Sequence, residues 1–209
     1  MRSGSYTPVP VESRRTQAER SLATRTALLA AARDLFASQG FAGTSRDEIA
    51  ARAGVTRGAL YHHFASKEAL FRAVVEQLEA ELGARIMAAA EKEPDPRLHL
   101  RVGCHAFLDA CRSDPAVRRI VILEAPVVLG WDAWREIDAR HGVALIAAGL
   151  AAALDGPPPG NASIETLATL LLGTLNEAAM LVATAPKPRV ARAQVGAALD
   201  VIIDRLIEA

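Results

Sequence analysis

The chain has 209 residues, 51% hydrophobic but only 4% aromatic, and its 24 Lys/Arg balance 24 Asp/Glu. That length suits one large domain or two small ones with a full core, and zero net charge excludes a nucleoid-type architectural protein, which needs a strong positive surplus. The balance is uneven, however: residues 1–75 hold 11 Lys/Arg against 6 Asp/Glu, and the remainder 13 against 18, so a polyanion is expected to meet the N-terminal third.

Abundant alanine and leucine favour helix over strand, and the period-2 alternation of strands is nearly absent. The first 17 residues, MRSGSYTPVPVESRRTQ, lack the apolar core of a secretory signal. The longest unbroken apolar run, GVALIAAGLAAAL, falls short of the roughly 20 residues of a bilayer span. Cys104 and Cys111 are the only cysteines. On one helix they would lie roughly 10 Å apart along the axis, too far for a disulfide. A reduced, cytoplasmic protein with no membrane partner and no cofactor is the expectation.

Residues 1–15 read as a flexible arm carrying Arg2, Arg14 and Arg15. A disordered tail and a basic arm entering a minor groove are both open readings. Thr16 and Glu19 make a T-x-x-E capping box that starts a first helix, running to about Ser38 and ended by Gly40. Ser45 and Glu48 repeat the box for a short helix at 46–53, which Gly54 breaks. Thr56 caps a third helix to His63, and Ser66 caps a fourth that continues toward Ala90. Asp95-Pro96 opens a helix at 96–112 and Asp114-Pro115 a short one at 115–123, with a break expected near Pro126. Residues 131–154 form a long helix closed by DGPPPGN. Ser163 caps a very apolar helix to Thr184, and a last helix covers 189–208. The total is about nine helices and no convincing strand.

The stretch GVTRGALYHHFASKEALF, residues 54–71, crowds hydrogen-bonding side chains between a few apolar ones. Two short helices joined through Gly54 after a longer one match a helix-turn-helix. Val55, Leu60 and Phe64 belong to the core. Arg57, Gly58 and Tyr61 then share the opposite face, flanked by His62 and His63. Such a face offers donors and a flat ring, which suits phosphate oxygens and base edges in a major groove. A metal site is disfavoured, because adjacent histidines point about 100° apart and the i, i+4 ligand pair is missing. A catalytic reading lacks a nucleophile with an oriented base, so no enzyme is expected.

Residues TSRDEIAARAGVTRGALYHHFASKEALF resemble the DNA-binding signature of the TetR/AcrR family of transcriptional regulators. Thr44, Ile49, Ala50, Ala53, Gly54, Val55, Gly58, Leu60, Tyr61, His63, Phe64, Ser66, Lys67, Glu68 and Leu70 meet the pattern without insertion, and Thr56 stands for its usual serine. The resemblance covers residues 18–75. It implies a homodimer with one recognition helix per subunit on a palindromic double-stranded operator. By the same resemblance Ser45 contacts phosphate, Arg57, Gly58 and Ala59 approach bases, and Tyr61, His63 and Lys67 grip the backbone. Asp47 departs from the family's frequent arginine, so the second helix is expected to contribute less to phosphate binding, or Arg46 to take over. Arg57 reading guanine and Arg57 holding a phosphate both remain open.

The implied division is a helix-turn-helix domain at 16–66 and an effector-binding and dimerisation domain at 67–209. The resemblance places the last two helices in a four-helix dimer interface through Leu167, Leu171, Leu175, Val195, Leu199, Ile202, Ile203 and Leu206. Burial within one subunit is the alternative. A pocket for a lipophilic or aromatic effector is expected among the central helices. One stripe there is Cys104, Phe107, Leu108 and Cys111, and another is Trp131, Trp134, Ile137 and His141; ordinary core is the competing reading. Asn176 and Glu177 interrupt an apolar helix and could set dimer register, line the cavity or face solvent. His105 falls on a polar stripe with Arg101, Asp109 and Arg112 and is expected to be solvated, and Glu124 to sit at a pocket mouth or face water. The functional expectation is a repressor released by its effector, with the same fold controlled by a protein partner as the alternative.

Overall fold

The computed structural model describes residues 16–154 and 156–208, so the expected arm at 1–15 lies outside the described residues. Among those described are nine α-helices and no strand, as the all-α reading requires.

Local chemistry sets the N-terminal helices. α1 (Gln17–Gly43) opens on a complete capping box, in which the Thr16 side chain accepts the Glu19 N–H and the Glu19 carboxylate accepts the Thr16 N–H. α2 (Arg46–Arg52) opens on the equivalent Ser45/Glu48 box. Gly54, at φ 66°, makes the turn, a left-handed conformation that costs other residues energy. α3 (Arg57–His63) is capped by Thr56 and α4 (Lys67–Ala90) by Ser66. Leu28, Phe36, Ile49, Leu60 and Phe71, all fully buried, fuse these helices into a head. Phe71 meets Phe36 and Phe41 edge-on, with ring centroids 5.1 Å apart in both pairs. The end of α1 differs from expectation: the helix kinks at Gly40 (φ 79°) and adds one more turn instead of stopping.

The body continues with α5 (His99–Ser113), a π-helical segment (Val117–Glu124), α6 (Ala125–Val128), α7 (Trp131–Ala153), α8 (Ile164–Thr184) and α9 (Pro188–Ile207). Two expectations needed correction here. The helix expected from residue 96 begins as a 3₁₀ turn, Pro96–Leu98, with the Asp95 carboxylate accepting the Arg97 N–H. Pro126 does not break the chain: it lies in the first turn of α6, which continues directly from the π-helical segment. Gly130 (φ 83°) makes the real break.

α8 packs against α7, α5 and α9. By length and composition alone it could cross a membrane, a length the longest unbroken run had not revealed. Its Leu171, Leu172, Leu175 and Val182 are buried in the bundle. This corrects the proposed dimer face. Leu171, Leu175, Leu199 and Ile203 lie in the chain's own core, and Leu167, Val195 and Leu206 are half-buried against it. The free apolar face is the opposite one, formed by Leu170 and Leu181 of α8 with Val190, Val201 and Ile202 of α9. Ile202 alone carries over from the expected set. Glu177 is exposed on α8 as well.

His105 is a further correction. It is half-buried and engaged rather than free in water: its ring bonds Asp200 (2.8 Å) and Arg192 (2.9 Å) of α9. Arg101 pairs with Asp204, and Arg192 with Asp109 at 3.0 Å. The polar stripe of α5 therefore faces α9 and bolts the two helices together.

Candidate functional site: a reading head joined to a cavity

α3 presents Arg57, Gly58, Tyr61 and His62 to solvent, with Ala59 and His63 half-exposed. Tyr61 is 51% exposed. Arg46 lies over the Tyr61 ring at 4.0 Å and donates to the Ala65 carbonyl at 3.2 Å. The ring and the guanidinium thus hold each other in place. Thr56 is spent as a cap, accepting the Ala59 N–H, and Ser45 likewise accepts the Glu48 N–H.

Two side chains are placed differently from expectation. Arg57 is paired with Asp47 at 2.5 Å, so the residue that departs from the family pattern engages the guanidinium in an exposed ion pair. The Lys67 ammonium donates to the Phe41 and Thr44 carbonyls at 2.8 and 2.9 Å and sits 4.2 Å from the Phe41 ring centre. Two of its three donors therefore close the end of α1. It still borders an open notch with Thr44, Ser45, Arg46 and Tyr61, where it acts as a fixed positive charge.

The kink at Gly40 frees backbone groups that must find partners, and the body supplies several. Arg119, on the π-helical segment, donates to the Ala37 and Ser38 carbonyls at 3.3 and 2.7 Å. Glu124 accepts the Phe41 N–H at 2.8 Å and lies 3.4 Å from Arg119. A Cβ at Gly40 would come within 2.5 Å of the Glu124 carboxylate. Glu124, left open between a pocket mouth and water, is thus a clasp between head and body.

A cavity of about 280 Å³ lies between α4, α5, α7 and α8, running along α4 from Glu79 to Glu91. Cys104, Phe107 and His141 from the expected set line it. The others do not. Leu108, Cys111 and Ile137 are fully buried in packed core, and Trp134 is buried with them. Trp131 is 63% exposed, because it is the first residue of α7 and its side chain reaches beyond the bundle. Asn176 donates to the Asp138 carboxylate at 2.7 Å, tying α8 to α7.

Glu79 and Asp138 were missed. Both line the cavity, and Asp138 also has Arg135 at 3.5 Å. Glu79 is 7% exposed and, among the described residues, has no hydrogen-bond or ion-pair partner. Burial, then the neighbouring Asp138 charge, pushes its carboxyl up to about 8. The Asp138 carboxyl is also raised, by burial against the lowering effects of Asn176 and Arg135. A signal was available: Glu79 interrupts the apolar face of Val75, Leu78 and Leu82 in α4, as Asp138 interrupts that of Trp134 and His141. Burial pushes the Cys104 thiol up to about 12 and Cys111 higher still, so neither is a nucleophile.

The profile of bacterial regulatory proteins of the tetR family matches residues 28–74, and that of the tetracyclin repressor-like C-terminal domain matches residues 98–206, half of the chain. The chain belongs to the TetR family. Among solved structures, a TetR-family regulator from Pectobacterium atrosepticum is 36% identical, with a TM-score of 0.78 over 92% of this chain and 98% of that one. The structure of RolR with resorcinol bound is 20% identical, with a TM-score of 0.66 over 92% and 95% of the two chains, and shows the same fold. The transcriptional activator FasR of Mycolicibacterium smegmatis is 36% identical over 94 residues, 45% of this TetR-family chain. That match covers 43% of FasR, less than half its length.

Proposed function

We propose that this TetR-family protein is a cytoplasmic, homodimeric regulator that binds a palindromic duplex operator through α3 and is released by a small molecule in the cavity, acting as a repressor. The observation that carries the proposal is the continuity of α4. Its first turn holds the end of α1 through Lys67, and its residues from Glu79 to Ala90 wall the cavity. A ligand that reshapes that wall therefore displaces a rod attached to the reading head.

Tyr61, Arg57 and His62 would face the groove, while Arg46 and the fixed Lys67 charge would meet phosphates. The free apolar face of α8 and α9 would join a second copy. The two heads must then stand about 34 Å apart to enter successive major grooves. An effector that prefers another spacing weakens DNA binding by the difference in its two affinities. RolR holds resorcinol, which supports effector control in this fold, and the cavity favours a small ligand over control by a protein partner. FasR is an activator, so the direction of regulation is read from transcription of the target.

The test is fluorescence anisotropy with duplex DNA from the region upstream of the gene, repeated across a salt series. Specific binding with a steep negative salt slope is expected, with loss on replacing Tyr61 and Arg57 together by alanine. Binding no stronger than to random duplex, or undiminished in that double variant, overturns the assignment.

A further inference from the structure

We propose that the Glu79 end of the cavity is an ammonium subsite and that the effector is a compact amphiphilic amine, its charge held by Glu79 beside Asp138 and its apolar body lying against Leu82, Ile86 and Phe107. The inference rests on the ligand-controlled reading above and names the chemistry of that ligand.

Three observations converge. Glu79 is buried, lines the cavity and has no hydrogen-bonding partner among the described residues, whereas buried carboxylates are ordinarily paired or hydrogen-bonded. Asp138, the second carboxylate at the same end, is already engaged by Asn176 and Arg135, so it adds negative potential while Glu79 supplies the free acceptors. Among the described residues no lysine or arginine lines the cavity, and its charged lining is Glu79, Asp138 and Glu91 with the titratable His99 and His141. A carboxylate or phosphate ligand would meet repulsion there. A neutral one would draw no attraction from the negative potential of Asp138.

The remaining wall is apolar, with Leu100, Leu145, Ile146 and Leu172 closing round it. About 280 Å³ is small beside the roughly 300–1,000 Å³ of drug-sized clefts, hence a compact ligand. Met87 is 45% exposed, so the cavity meets solvent at the far end of α4, and the amine would enter head first.

Proton balance provides an independent signature. Near neutral pH the raised Glu79 carboxyl holds its proton. Docking an ammonium favours the carboxylate, so the Glu79 O–H bond breaks and its proton passes to water or buffer, while the amine keeps its own protons and donates an N–H···O hydrogen bond to the carboxylate. The charges of Asp138 on α7 and Cys111 on α5 interact with Glu79, His141 and Cys104 line the same cavity, and Arg135 is paired with Asp138. Both thiols stay protonated near neutral pH.

The experiment is calorimetry on the full chain at pH 7 with 2-phenylethylamine and cyclohexylmethylamine, their matched alcohols, and phenylacetate, in two buffers of different ionisation enthalpy. Amines should bind about ten-fold or more tightly than the alcohols, as befits a charge-assisted hydrogen bond, should exceed phenylacetate by more, and should release up to one proton. Glu79→Gln should remove the preference and the proton release while leaving alcohol binding nearly unchanged, and Asp138→Asn should weaken the amines only in part. Alcohols that match the amines, an amine panel that fails to bind, or a Gln variant with undiminished amine affinity would each overturn the subsite. The two proposals fail separately. Alcohols that displace DNA would leave ligand control standing without the ammonium, and amines that bind Glu79 without displacing DNA would do the reverse.

Discussion

Glu79→Gln should shift stability by an amount that depends on pH, increasingly in favour of the variant as pH rises. In the folded chain the carboxyl is raised from 4.5 to about 8, so between those values the native state holds a proton that the unfolded chain has lost. Stability therefore falls as pH rises through that window and levels off above it. At 1.36 kcal/mol per unit, the native carboxyl costs roughly 3 kcal/mol at pH 7 and roughly 5 kcal/mol above pH 8. Glutamine has no proton to lose. It leaves a buried amide that costs about 1–3 kcal/mol at every pH, so the informative quantity is the change in the gap between variant and parent. From pH 5 to pH 8.5 that gap should widen in favour of the variant by roughly 4 kcal/mol, which for a chain of this size is about 8–16 °C in Tm. Thermal and urea melts at the two pH values, without added ligand, measure it. A gap that stays constant would refute the reasoning, because it would show that Glu79 already has a partner or reaches water.

Asp47→Ala should release Arg57 and raise operator affinity by no more than about five-fold, since an exposed pair is worth about 0–1 kcal/mol, while the salt slope steepens by about one; anisotropy across a salt series reads both. Gly40→Ala should cost about 2 kcal/mol or more in a urea melt. Adding Glu124→Ala should recover only the steric part, because a backbone at φ 79° and ψ 170° remains strained for any side chain. Leu181→Glu with Val201→Glu should yield a folded monomer at micromolar concentration by light scattering, whereas Leu171→Glu, in the packed interior, should lower Tm steeply without giving a stable monomer. A stable dimer in the first double variant would reject the outward face as the contact between copies.

Much of the head could be read from residues alone, because its signals are local. Capping boxes at Thr16 and Ser45, caps at Thr56 and Ser66, and the turn at Gly54 all act within a few positions of themselves. Arg57 and Lys67 were harder. Whether a long cation reaches outward depends on what stands beside it, and Asp47 and the carbonyls of Phe41 and Thr44 come together only in three dimensions. In the body, apolar spacing located the helices but not their faces. α8 is apolar nearly all round, so the side bearing Leu171 and Leu175 and the side bearing Leu170 and Leu181 looked alike. The tryptophans drew attention to α7, yet the buried carboxylates of the cavity, Glu79 and Asp138, stand 59 positions apart and are visible only as interruptions of apolar faces. His105 shows the same limit, since a polar stripe on one helix reads as wet until a polar stripe on another is laid across it.

The clasp at Gly40 bears on how such proteins can be recombined. Arg119 and Glu124 complete a backbone bend that lies some eighty positions earlier in the chain. A hybrid made by grafting this reading head onto a foreign body would leave the Ala37 and Ser38 carbonyls and the Phe41 N–H without the groups that serve them. Transplanting the specificity of this head therefore means moving a short piece of the trunk along with it.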